Sequence, residues 1–298
     1  MSEDPSAAAG APTPTVPPAP DATTPESKQP DAADLDSIDL DPADLHQAER
    51  EALSGVHLVV CGHGTRSRLG QRTMAALVDS IRALSPVPVR AASVDVQEPS
   101  AEAVIAGLSP DRPGVVQPLL LSTGYHTRVD LQQAARRHPG LRRGHGMVVA
   151  RALGPDPILA GLQVRRLREA GWRPEGQLGA VVMGAAGSSV AAGRQAASQQ
   201  CDLLAEALGR PVQLGYGAGR PRIADVVETA SGTGPVACSS YLLTPGTFQD
   251  RLAAAGPQLL AGPLLEAEDE AGLRAVALLA LRRAAGAAAG GEDQIEAA

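Results

Sequence analysis

The sequence predicts an α/β protein built from two tandem αβα domains with mostly parallel sheets. Three observations predict it. Short β-branched runs alternate with longer amphipathic stretches between about residues 55 and 285. Strand-then-helix alternation is the pattern of βαβ units, whose crossover helices require parallel strands. The pattern then recurs at an offset of 122 residues, which aligns Val60 with Val182, Gly62 with Gly184, Pro99 with Pro221 and Gly124 with Gly246. Loop glycines and a proline repeating in the same element order indicate a duplicated domain.

Each element has its own signal. VHLVVC at 56–61 is a compact apolar run that stops at Gly62. Ala76, Leu77, Ile81 and Leu84 fall at helical spacing and predict a helix over 73–84. VRAASVDV at 89–96 is the second strand, and Pro99 suits the start of a short helix over 102–108. VVQPLLLS at 115–122 is the third strand, although Pro118 lacks the N–H that a central ladder needs without a bulge. GMVVARAL at 146–153 is the fourth, followed by PDPILAGLQVRRLREAG, an amphipathic helix closed by Gly171. The second unit places strands near 178–183, 211–216, 235–240 and 258–262, with a last helix near 269–284.

These runs divide the chain into four parts. Residues 1–50 are rich in Pro, Ala, Asp and Thr and hold too little apolar surface to offset ordering entropy, so disorder is expected. The first domain spans 51–175, its repeat spans 176–285, and 286–298 form a flexible tail. Hydrophobic residues make up 44% of the 298, enough for real cores, but aromatic residues only 2%. With a formal net charge of -7 and no basic stripe, a nucleic-acid partner is not expected. No 18-residue uncharged apolar stretch predicts a membrane span, and the N-terminus lacks a secretory pattern, so a cytoplasmic location is expected. Cys61, Cys201 and Cys238 are isolated, which argues against a cysteine-ligated zinc or iron–sulfur centre and fits a reducing compartment.

Ligands of open parallel sheets bind beyond the carboxyl ends of the strands. His63 follows the first strand in VVCGHGTR, and His126 follows the third in LLLSTGYHTRVDL. Neutral imidazole binds iron, cobalt, nickel and zinc and also accepts a proton near neutral pH. Metal insertion into a macrocycle needs both acts, so His63 and His126 are the candidate catalytic and metal-handling residues. Gly62, Gly64 and Gly124 allow a bulky planar ligand to approach the backbone. Arg66, Arg68 and Arg128 suit peripheral carboxylates, which a guanidinium grips bidentately. Asp95, Glu98 and Asp130 are candidates for a proton relay. In the duplicate, the 122-residue offset sets Ala185 against His63 and Phe248 against His126. One half would be catalytic and the other would shape the cleft. GHGTRSRLG lacks the Gly-Lys-Ser/Thr of a phosphate-binding loop, and no Gly-x-Ser-x-Gly elbow surrounds Ser188 or Ser189. His46, His138 and His145 read as incidental.

These motifs resemble those of the sirohydrochlorin chelatases, the class II cobalt- and ferrochelatase family. The resemblance rests on VVCGHGTR, VDVQEPS, LLLSTGYHTRVDL and ALGPDPILAGLQVRRLREAG. VVMGAAGSS and CSSYLLTPGTFQDRL resemble the histidine-less second half of two-domain actinobacterial members. The resemblance covers roughly residues 55–285. It implies flavodoxin-like domains facing a central cleft, with sirohydrochlorin, an octacarboxylate isobacteriochlorin, as substrate. It carries the two family histidines onto His63 and His126. Fe2+ or Co2+ is the expected metal substrate, with Ni2+ a third candidate, and no tightly bound cofactor is implied. Iron would yield siroheme; cobalt would feed cobalamin synthesis. Two other readings stay open: a non-catalytic tetrapyrrole or metal carrier, and a phosphate- or nucleotide-binding module. Two fused domains can complete one cleft, so a monomer is plausible, with a dimer the alternative.

Overall fold

The computed structural model describes residues 44–122, 124–176 and 179–291, with residues 125–128 described by their backbone alone. Most of the predicted extension (1–43) and of the predicted tail (292–298) lies outside the described residues. Helix α1 (Gln47–Leu53) begins inside the predicted extension. Leu45 is buried and Asp44 pairs with Arg274 at 2.6 Å, so packing begins before residue 50.

The first half runs β1 (His57–Gly62), α2 (Arg68–Leu84), β2 (Val89–Ser93), α3 (Ala101–Ala106), β3 (Gly114–Pro118), α4 (Tyr125–Arg136), β4 (Met147–Val149) and α5 (Pro157–Glu169). The second runs β5 (Ala180–Ala185), α6 (Ala191–Leu208), β6 (Val212–Tyr216), α7 (Ile223–Ser231), β7 (Val236–Tyr241), α8 (Thr247–Ala254), β8 (Leu259–Leu260) and α9 (Glu270–Ala288). Each half forms a parallel four-stranded sheet, in the orders β2-β1-β3-β4 and β6-β5-β7-β8. Two such α/β domains were predicted, and the order is flavodoxin-like.

Several boundaries differ from expectation for local reasons. Helix α2 starts at Arg68, not near Thr73, because Ser67 Oγ accepts the Gly70 N–H at 3.2 Å and caps it. Its first turn exposes Leu69 (59%), so apolar periodicity does not reveal it. Strand β2 ends at Ser93, since residues 94–97 turn back towards β1. Strand β3 ends at Pro118, where the missing N–H costs nothing, and Leu119 N–H then bonds the Cys61 carbonyl at 2.8 Å. Helix α9 continues to Ala288, so residues 286–288 are helix and not tail.

Both faces of each sheet are covered. In β1, Leu58 and Val60 enter the large central core, while Val59 and Cys61 pack outward against Ile105 of α3 and Leu131 of α4. The central core is continuous across both halves, because the last helix of each half crosses to the other. Helix α5 packs on α6 and β7 of the second sheet, and α9 packs on α1, α2 and β3 of the first. The two crossing helices hold each other by their N-terminal caps. Asp156 caps α5 by accepting the Ile158 N–H and pairs with Arg283 of α9 at 2.7 Å. Asp269 caps α9 by accepting the Gly272 N–H and pairs with Arg165 and Arg166 of α5, the latter at 2.8 Å. Beneath them Gln200 accepts the Asp156 N–H and donates to Gln163, which in turn donates to Ser239 Oγ. Buried polar groups are thereby satisfied in a chain from α5 through α6 to β7.

Candidate functional site

The carboxyl ends of both sheets open on one cavity of about 1100 Å³. Residues 62–66 and 119–124 form part of its wall from the first half, and residues 186–189 and 241–249 form part from the second, residue 123 lying outside the described residues. The first group sits at the point between β1 and β3 where the strand order reverses, the expected ligand position in such sheets.

His63 stands on this wall and its side chain is exposed. Its backbone is held from β2: Val94 N–H donates to the Gly62 carbonyl at 2.9 Å, and Asp95 N–H to the His63 carbonyl at 3.0 Å. The next residues are pinned as well. Thr65 N–H donates to Gln97 Oε1 at 3.0 Å, and Gln71 Nε2 donates to the Thr65 carbonyl at 2.7 Å. Gly64 has φ +91°, and a Cβ there would collide with the Asp95 carbonyl oxygen. Only glycine fits that close crossing. Met74 of α2 lies beneath Gly62 and also lines the cavity.

The other predicted residues divide. Gly62, Gly64, Arg66, Glu98 and Gly124 join His63 on the wall. Gly124 is the N-cap position of α4, whose second residue is His126; the side chains of His126 and Arg128 lie outside the described residues. Arg68 is exposed at the start of α2 and is not part of the wall. The Asp95 carboxylate is also off the wall and accepts the Val96 N–H at 2.7 Å. Asp130 faces a separate small cavity beside Glu102 and Arg137, an ion pair on α3 and α4. Glu98 lines the cavity, and its carboxylate accepts the Ser100 N–H at 2.8 Å at the start of α3.

The opposite wall supplies residues that sequence reasoning did not select. Tyr216, Tyr241 and Phe248 line it, with Arg251 over the Phe248 ring at 5.0 Å. Burial raises the pKa of both tyrosines, so they remain neutral. The one signal available was that Phe248, the chain's single Phe, aligns with His126. Among the described residues no three His, Cys, Asp or Glu side chains gather at one point to hold a metal. Away from the cavity, buried His138 contacts His57 edge-on and its Nδ1 lies 2.8 Å from the His145 carbonyl.

Backbone bonding also corrects the alignment of the two halves. Gly217 N–H bonds the Ala185 carbonyl and Ala218 N–H bonds the Ala186 carbonyl, both at 2.8 Å. These bonds match those at Gly62 and His63. Likewise Gly187, with φ +112°, would meet the Ala218 carbonyl as Gly64 meets that of Asp95. The counterpart of His63 is therefore Ala186, not Ala185. The bridges Ser93–Ser100 and Tyr216–Arg222 show why: the second loop is one residue shorter. A single gapless offset cannot carry both sides of that loop.

A family model described as CbiX matches residues 57–170. No curated protein matches the sequence. SirB from Bacillus subtilis with Fe3+ is 22% identical, with a TM-score of 0.62 over 80% of this chain and 99% of that one. The sirohydrochlorin chelatase SirB from Bacillus subtilis subspecies spizizenii in complex with cobalt is 19% identical, with a TM-score of 0.61 over 80% and 99%. CbiX, described as the terminal enzyme for siroheme biosynthesis in denitrifying bacteria, is 21% identical, with a TM-score of 0.51 over 70% and 91%. At these identities the solved structures share the fold of this chain.

Proposed function

We propose, on the premise that through residues 57–170 the chain belongs to the CbiX family, that it is a sirohydrochlorin chelatase that inserts Fe2+ to make siroheme. One observation supports this most: His63 projects from the wall of a cavity of about 1100 Å³ shared by both halves, beside the helix that carries His126. That volume exceeds ordinary small-molecule pockets of roughly 300–1,000 Å³ and suits a bulky macrocycle.

The reaction exchanges two pyrrole protons for one divalent ion, so the charge on the macrocycle core is unchanged. His63 and His126 receive the ion and accept protons as the ring nitrogens take it. Arg66 and Arg128 hold peripheral carboxylates, while Arg68 has no place in the assignment because it stands off the wall. Glu98 is the remaining carboxylate for proton release, since it lines the cavity while Asp95 is off the wall and Asp130 lies elsewhere. The proposal carries a cytoplasmic location and a monomer whose cleft is completed by its own second half.

Cobalt is the second reading, favoured by the cobalt complex of a structurally similar SirB. The test is an anaerobic absorbance assay with sirohydrochlorin and Fe2+, Co2+ or Ni2+, each against its protein-free control. Protein-dependent conversion fastest with Fe2+ supports siroheme synthesis, and fastest with Co2+ supports the cobalamin route. Tight macrocycle binding without acceleration by any metal would replace the enzyme with a carrier.

A further inference from the structure

The loop after β2 contains one backbone conformation that its residue disfavours. Val96 has φ +69° and is the one non-glycine residue with positive φ among the described residues. Gln97 N–H bonds the Asp95 carbonyl at 2.8 Å across it. A bond from residue i to i+2 around a positive φ is the rarer, strained form of the γ-turn. A β-branched side chain there is a genuine outlier. Strain of this kind persists where neighbours over-determine the backbone. Here they do: Asp95 N–H is held by the His63 carbonyl, and Gln97 Oε1 is held by Thr65 N–H.

The duplicated half shows that the fold does not ask for valine. Asp95 corresponds to Ala218, so Val96 corresponds to Gly219. Gly219 also has positive φ, at +114°, and a Cβ there would meet nothing within 4 Å. The second half thus fills the same handed position with the residue that suits it. The first half keeps valine, leaves it 47% exposed, and places it on the cavity wall beside His63. Gly219 is not part of that wall. The extra residue of the first loop is Gln97, which clamps the turn to the His63 loop. Packing does not explain an exposed side chain, and backbone preference opposes it.

We propose that Val96 is a substrate-contact residue, whose isopropyl group is held out by the strained turn as an apolar contact for the tetrapyrrole next to His63. This rests on the chelatase reading and adds a specific macrocycle contact to it.

The test compares Val96→Gly and Val96→Asn with the wild-type chain, measuring thermal unfolding and absorbance titration of sirohydrochlorin without metal. Asn tolerates left-handed backbone and preserves the turn while removing the apolar contact. Both variants are expected to weaken macrocycle binding about tenfold, the scale of losing a partly buried valine contact. Val96→Gly is expected to unfold at the same temperature as wild type or higher, because its strain is relieved. Unchanged binding in both variants, or a lower unfolding temperature for Val96→Gly, would overturn the assignment of Val96 alone. A wild-type chain that does not bind sirohydrochlorin would overturn the chelatase reading and this contact together.

Discussion

The two halves share a sheet order, a glycine at the same close backbone crossing and the same pair of hydrogen bonds behind it. They differ in what stands on that scaffold. His63 faces Ala186 in the alignment, Val96 faces Gly219, Gln97 has no counterpart, and Phe248 holds the position of His126. What the backbone demands, at Gly64 and Gly187, is present twice. What faces the cavity has diverged. The first half sets His63 on the wall, the proposed metal- and proton-handling group, and the second carries a tyrosine and phenylalanine wall. The internal duplicate therefore separates residues required to build the loop from those to which the proposed function assigns the chemistry.

The largest test of that separation removes the chemistry and leaves the loop. His63→Ala should reduce metal insertion by about 10²–10⁴-fold, the usual worth of a positioned acid–base group. Its unfolding temperature and macrocycle affinity should stay close to wild type, because the side chain is exposed. Placing the imidazole in the duplicate, as His63→Ala with Ala186→His, should not restore turnover. Restoration would make the halves chemically interchangeable and break the comparison.

The next effect concerns what joins the halves. Asp269→Ala removes the cap of α9 and takes from Arg166, whose side chain is 8% exposed, its 2.8 Å carboxylate partner, leaving it Glu169, the more distant Glu266 and the Leu264 carbonyl. Removing a buried charge's carboxylate partner and losing a cap together should cost about 3 kcal/mol of stability. Asp156→Ala, which removes the cap of α5 and the 2.7 Å pair with Arg283, should cost a similar amount by urea denaturation. A large loss for one and none for the other would show that the reciprocal clamp is one-sided. Smaller still, Gly64→Ala and Gly187→Ala should each cost about 2 kcal/mol, from positive φ and overlap with the facing carbonyl. Equal stability losses with a far larger activity loss for Gly64→Ala would sharpen the contrast between scaffold and chemistry.

The fold class was legible because parallel strands buried on both faces leave uninterrupted apolar runs, as in VHLVVC. The duplication was legible through glycines and prolines whose backbone roles fix their spacing. The exchange of α5 and α9 was not, since an amphipathic helix shows that a face is buried and not which sheet buries it. The start of α2 was hidden because its first two residues, Arg68 and Leu69, face solvent. His63, Arg66 and the glycines could be read from sequence as candidates, and they do line the cavity, because loop residues at strand ends have few structural duties. Asp130 was misplaced because proximity to His126 in sequence does not fix which helix face a side chain takes. Val96 escaped notice altogether: nothing in VDVQEPS reports the handedness of one backbone angle.

The smallest expected effect lies at Cys61, two residues before His63. Its closeness in sequence suggests a reactive thiol, but its side chain packs on the outer face of β1 in the layer with Val116 and Leu131. Burial pushes its pKa from 9.0 up to about 12. Cys238, in the corresponding outer layer of the second half, is likewise pushed by burial up to about 12. Iodoacetamide at pH 8 should therefore leave Cys61 and Cys238 unlabelled in the native, active chain, and these two thiols should react only after unfolding. The same burial sets an alkaline limit. Unfolded thiols release their protons near 9, whereas the folded chain retains them, so the stabilising contribution is complete below pH 9 and disappears as pH rises towards 12. Urea midpoints measured across that range should fall, and fall less steeply in Cys61→Ala and in Cys238→Ala by similar amounts. Selective labelling of native Cys61 would mean that its outer layer is open and that the two halves differ behind the sheet as well as in front of it. Equal protection would confine their divergence to the cavity side.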